Sequence, residues 1–181
     1  MIIIPIGIDC EVAEFAIKNG YRTCALPFDW AVTYKGISDI IRNNLENILP
    51  KDGEIFNEDF AIKYVHHTFP MDREKLNRRI DRMRKILESD SPLTFIRKGH
   101  LPHHHMEYDP MELNREIEDI EKLDEILESK YERLEYKIIL GLGCDKCYSS
   151  DFIYTPRGKN IKIFNNIAIN DFKTGANMIL N

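Results

Sequence analysis

Long apolar runs are missing from this chain. Ile2, Ile3, Ile4 and Ile6 open it, but Pro5 and Gly7 interrupt them, the stretch is too short to span a bilayer, and no basic segment precedes it. It reads as a buried strand, and the chain is expected to be untargeted, soluble and cytoplasmic, with no membrane partner. A basic excess is missing too: 25 Lys+Arg stand against 30 Asp+Glu, a formal net charge of -5, so no general field would hold a phosphate backbone. Nucleic acid is therefore not the expected partner. Cysteine is scarce, with Cys10, Cys24, Cys144 and Cys147 the 4 present, and without a secretory segment they read as thiols rather than a disulfide framework. No repeat, low-complexity tract or linker breaks the sequence, so residues 1–181 are expected to form one domain.

What the chain has is enough apolar material, 43% of 181 residues, for one well-buried core. Residues 2–8 predict a strand, after which Val12, Phe15 and Ala16 recur at helical spacing until Asn19-Gly20 stops them. Residues 21–34 carry Arg22, Pro27, Asp29 and the single tryptophan, Trp30, without periodicity; they predict a buried loop with a short strand near 23–25. Ile37, Ile40, Ile41 and Leu45 predict a second helix, and Pro50 to Gly53 a break. The stretch 57–69 suits an edge strand or a short helix equally. Asp72 caps a helix over 73–88, with Leu76, Ile80, Met83 and Leu87 inward and Arg73, Arg78, Arg82 and Lys85 outward. Leu93–Ile96 and Tyr136–Leu142 have the length and flanks of buried strands, and an amphipathic helix at 111–130 joins them. Strand, helix, strand is a parallel crossover. The expected fold is thus α/β: three layers, a mostly parallel sheet flanked by helices, with 161–164 as a last strand.

Cys10 stands where the first strand turns into the first helix. Unpaired backbone N–H groups and the positive end of the helix dipole stabilise a thiolate there, and the N–H groups of Cys10 and Glu11 suit an oxyanion formed when sulfur attacks a carbonyl. Gly7 would let a substrate come close to that turn. The alternative is an inert, packed thiol. A thiol nucleophile needs a base, and the histidines fall in two groups, His66-His67 and His100 with His103, His104 and His105. Asp29, between Phe28 and Trp30, is a carboxylate in apolar company, suited to orienting a partner or to bonding a backbone turn.

Ile6-Gly7-Ile8-Asp9-Cys10 with Ala13, Gly20-Tyr21-Arg22, and Leu26-Pro27-Phe28-Asp29-Trp30 together resemble the signature of a family labelled papain-like cysteine peptidases, a domain of unknown function (DUF1796). Fainter likeness continues through His67-Thr68-Phe69, Arg78-Arg79 and Phe95-Ile96-Arg97, so it covers about the first 100 residues. The resemblance implies Cys10 as nucleophile, His67 as base and Asp29 as the accompanying acid. This chain departs from the pattern at Ile8-Asp9, at Cys24-Ala25-Leu26 and at Thr68. Asp29 also precedes the histidine, whereas in papain-like enzymes the orienting residue follows it.

Cys144-Asp145-Lys146-Cys147 supplies two metal ligands at most, and a His-rich loop beside two thiols explains it without a metal. Gly141-Leu142-Gly143 lacks the third glycine of a dinucleotide turn and reads as a strand end. Arg97 ends a predicted strand, so it either pairs with a carboxylate such as Asp29 or binds an anionic substrate; Arg22 invites the same two readings. The expectation is therefore a cofactor-free hydrolase or acyl transferase acting on an amide or ester of a small-molecule or peptide substrate. Cys10, His67 and Asp29 would be catalytic, and Gly7, Arg22, Trp30, His66 and Arg97 would contact substrate. The alternative is a non-catalytic ligand-binding or interaction domain.

Overall fold

The structure, a computed structural model, describes residues 2–7, 10–99, 113–142 and 155–164. Its frame is a four-stranded parallel sheet in the order β1-β5-β6-β7, formed by β1 (Ile2–Pro5), β5 (Leu93–Gly99), β6 (Tyr136–Leu142) and β7 (Ile161–Phe164). The register sets Ile4 beside Phe95, and Phe95 beside Ile138. Successive strand residues face opposite sides. Ile3, Ile96 and Ile139 therefore share one face, which packs on Val12, Phe15 and Ala16 of α1 (Glu11–Lys18). Ile4, Phe95, Ile138 and Leu140 share the other face, which packs with α2 (Ser38–Arg42), α3 (Arg73–Leu87) and α4 (Leu113–Lys130). Helices on both faces of a parallel sheet make the three-layer α/β architecture that the apolar runs predict.

A second, antiparallel sheet arises in the ambiguous region. β2 (Val32–Thr33), β3 (Phe56–Asn57) and β4 (Ile62–Lys63) pair in the order β2-β4-β3. The short strand expected near 23–25 does not form; those residues are irregular. The second helix stops at Arg42, and Asn44, Leu45 and Asn47 adopt left-handed backbone. Asp72 occupies the N-cap of α3 without a side-chain cap bond. Its carboxylate instead accepts the Thr68 N–H at 2.8 Å and pairs with Lys75.

α4 does more than present an apolar stripe. Glu116, Asp119, Glu121 and Asp124 are all buried. Glu116 pairs with Arg97 of β5, Asp119 accepts the backbone N–H groups of Ile37 and Ser38 at 3.1 Å each, and Asp124 accepts the Tyr136 hydroxyl at 2.7 Å. Buried carboxylates are tolerated only with such partners. Gly36, at φ 83°, leaves room for the Asp119 carboxylate, since a Cβ there would lie 2.0 Å from Oδ2. No helix among the described residues is long and apolar enough to cross a membrane.

Candidate functional site

One side of α3 organises most of the predicted residues. Asp72, Lys75, Arg79 and Arg82 recur three and four residues apart and so lie on one side of the helix. The loop through Arg22 to Trp30 and the turn through Tyr64 to Pro70 meet that side. Arg82, expected to point outward, donates from Nη1 to the carbonyl of Ala25 at 2.5 Å. Arg79 sits between the two segments, close enough to Asp29 and to His67 to influence both electrostatically.

Asp29 is 1% exposed. Its Oδ2 accepts the Leu26 N–H at 2.9 Å and an ion pair from Arg22, which also donates from Nε to the Cys24 carbonyl at 3.1 Å. Burial pushes the Asp29 carboxyl above its ordinary range; the Leu26 N–H, Arg22 and Arg79 pull the other way. The acid is thus bonded to its own loop and to Arg22, and not to His67.

His67 is buried, with its ring edge-on to Tyr64 at 6.0 Å between centroids. Burial, together with Arg79 and Lys75, lowers its pKa to about 4; Asp72 opposes this. The imidazole is therefore neutral at pH 7. Trp30 and His66 form the outer side of the same seam: Trp30 is half-buried, His66 is exposed, and their rings meet edge-on at 5.6 Å. Four buried side-chain atoms lack a hydrogen-bond partner among the described residues, namely Asp29 Oδ1, Arg79 Nη1, His67 Nδ1 and Tyr64 OH. All four belong to this seam. Buried polar atoms without partners cost a native protein of the order of 1–3 kcal/mol each and are uncommon, so their grouping marks the place.

Cys10 is the N-cap of α1 and half-buried. Its thiol lies 3.8 Å from Oε1 of Glu14, one turn along the helix, and makes no side-chain cap bond. Glu11 receives the Lys98 ammonium at 2.8 Å, tying the first turn of α1 to β5. Gly7 is buried and packed closely: a Cβ there would stand 3.1 Å from the Lys98 backbone nitrogen. Its carbonyl accepts the Thr33 hydroxyl at 3.2 Å. Ile8 and Asp9 lie outside the described residues, as do His100, the His103–His105 group, Cys144 and Cys147.

Arg97 is fully buried and has no donor left for a ligand. Nε and one Nη2 hydrogen hold Glu116, Nη1 donates to the Ile6 carbonyl at 2.8 Å and to Thr33 Oγ1 at 2.9 Å, and Nη2 also donates to the Thr33 carbonyl at 3.2 Å. A guanidinium has five N–H donors, and all are engaged. Of the two readings the sequence allows, the structure assigns Arg97 to an internal ion pair, with Glu116 rather than Asp29 as partner.

Geometry thus joins Asp29, Arg22, His67, His66 and Trp30 in one seam, while the Cys10 thiol faces Glu14 of α1 and Arg97 is held by Glu116, Ile6 and Thr33. Arg79 and Tyr64 complete the seam. The spacing of Asp72, Lys75, Arg79 and Arg82 along a single helix side was a signal for Arg79; Tyr64, inside the ambiguous stretch 57–69, carried none. A cleft of about 770 Å³ lies on another side of α3, lined among others by Asn47, Asn57, Glu58, Arg73 and Arg84, and by none of the predicted residues. No protein-family model, curated protein or solved structure matches this chain.

Proposed function

We propose that this protein is a cysteine-dependent hydrolase or acyl transferase acting on an amide or ester, as its likeness to the papain-like cysteine peptidase family suggests. One observation carries the reading. Cys10 sits half-buried at the amino end of the eight-residue helix α1, beyond the carboxyl end of a parallel edge strand, which is the side on which open α/β sheets take their ligands. In the reaction, His67 takes the thiol proton as sulfur attacks the carbonyl carbon, and first-turn N–H groups of α1 stabilise the oxyanion. The imidazolium returns its proton to the leaving amine or alcohol, and water or another acceptor resolves the thioester. A neutral His67 is free to accept that proton, although Arg79 and Lys75 disfavour its charged form. Asp29 acts at one remove, fixing Arg22 and balancing Arg79.

A non-catalytic ligand-binding domain is the second reading, favoured by the pairing of Asp29 with Arg22 and the Leu26 N–H in place of His67. Labelling with a panel of cysteine-directed electrophiles separates the two. The enzyme reading expects selective modification of Cys10 that disappears in Cys10→Ala and falls sharply in His67→Ala. Equal labelling of Cys10 in both the wild type and His67→Ala supports the binding domain.

A further inference from the structure

The cleft of about 770 Å³ beside α3 falls in the size range of small-molecule sites, roughly 300–1,000 Å³. Its floor is apolar, made by the buried side chains of Leu45, Ile48 and Ile80. Its walls are held by their own bonds. Asn57 donates from Nδ2 to the carbonyls of Asn47 and Leu49 at 2.8 and 3.2 Å, Arg73 donates to that of Pro50 at 2.7 Å, and Arg84 to that of Asn44 at 2.9 Å. The 44–50 loop is thus pinned from both β3 and α3, and a ligand need not order it. Charge on the rim is unbalanced. Arg73 is paired with Asp52 and Arg84 with Asp81, whereas Glu46, Glu54, Glu58 and Asp59 are exposed and have no ion-pair partner among the described residues. Against these four stands Lys51, equally unpaired, so three negative charges are left over. That field repels an anion. A metal ion needs ligands that converge on one point, and no three acidic, His or Cys side chains among the described residues are grouped to hold one. The carboxylates instead come from position 46 and from the stretch 54–59, above an apolar floor. A ligand built the same way has ammonium groups separated by methylene segments, the ammoniums meeting the carboxylates and the methylenes lying on Leu45, Ile48 and Ile80. We propose that this cleft is a second binding site, for a linear aliphatic polyamine. It uses neither Cys10 nor the seam, so it stands apart from the proposed reaction.

The test is calorimetric titration of the intact chain with spermine, spermidine and butylamine, at low and at physiological salt. Saturable binding is expected, tightest for spermine and weakest for butylamine, and weaker as salt rises. Glu54→Gln and Glu58→Gln should each weaken spermine binding about threefold, as the loss of one solvent-exposed ion pair does. Combined with Glu46→Gln, they should weaken it more than about tenfold. Asn77→Arg, which sets a cation on the cleft from an exposed position of α3, should abolish it. Glu118→Gln, Glu125→Gln and Glu132→Gln together remove the same net charge from exposed positions outside the cleft and should leave binding unchanged, with thermal unfolding showing that each variant is folded. Absence of saturable spermine binding at low salt overturns the assignment, and so does an equal loss in the charge-matched control. A lysine-rich peptide that binds at least tenfold more tightly than spermine through the same carboxylates also overturns it, since the occupant would then be a basic protein segment.

Discussion

Acid should loosen this protein through His67 before its ordinary carboxylates protonate. The native imidazole has a pKa of about 4 against 6.5 unfolded, so between those values the unfolded chain binds a proton that the native chain refuses. Stability therefore rises with pH through that window: it is fully present above 6.5 and is lost as pH falls toward 4. A difference of roughly two and a half pH units at 1.36 kcal/mol each is worth about 3 kcal/mol, of which about 2.5 kcal/mol is gone by pH 4.5. His67→Gln keeps a polar group of similar size and cannot titrate. Urea unfolding followed by Trp30 fluorescence and by circular dichroism, at steps from pH 7 to pH 4.5, should show the wild type losing about 2.5 kcal/mol more than the variant. Asp29, whose carboxyl is raised, works in the opposite sense, since its protonation on acidification favours the native state; the comparison with the variant removes that contribution. Parallel pH profiles for the two proteins, or a His67 ring titrating by NMR near 6.5, would refute the reasoning.

Three further outcomes follow from the same geometry. Tyr64→Phe should stabilise the protein by about 1–3 kcal/mol, because it deletes a fully buried hydroxyl with no partner among the described residues, and thermal unfolding reads the gain; a loss of stability would mean the hydroxyl is bonded. Arg97→Met should cost about 3–5 kcal/mol by taking the guanidinium from the buried Glu116 carboxylate, whereas replacing both residues with apolar ones should recover most of that in equilibrium denaturation. Glu14→Gln should speed alkylation of Cys10 by iodoacetamide severalfold at pH 7, because the carboxylate that accepts the thiol proton is gone; an unchanged rate would show that the contact does not restrain the sulfur.

The parallel sheet was readable because β1, β5 and β6 are near-continuous apolar runs, and the helices because Val12, Phe15 and Ala16, or Leu76, Ile80 and Met83, recur at helical spacing. The small antiparallel sheet was not, since two-residue strands such as Phe56–Asn57 are too short for alternation to register. Buried acids on α4 were hidden for another reason. Their partners Arg97, Ser38 and Tyr136 come from distant segments, and a helical wheel counts such acids as solvated. In the site, adjacency in the chain suggested Asp29 with Trp30 and His66 with His67, and the fold does bring these pairs together. The partner of Asp29 was not legible: Arg22 competes with histidine for the same carboxylate, and only the loop geometry decides between them. Arg97 illustrates the same limit, because a strand-end arginine has the same sequence context whether its five donors face a crevice or the interior.

On the proposed function, Cys10 is a nucleophile served by His67. Mixing the protein with an activated ester and weighing it intact, with the acylated peptide then sequenced, tests this most directly. A transient acyl group should appear on Cys10, absent in Cys10→Ala and formed much more slowly in His67→Gln. Acylation of surface lysines alone, or a Cys10 adduct formed equally fast without His67, would contradict it.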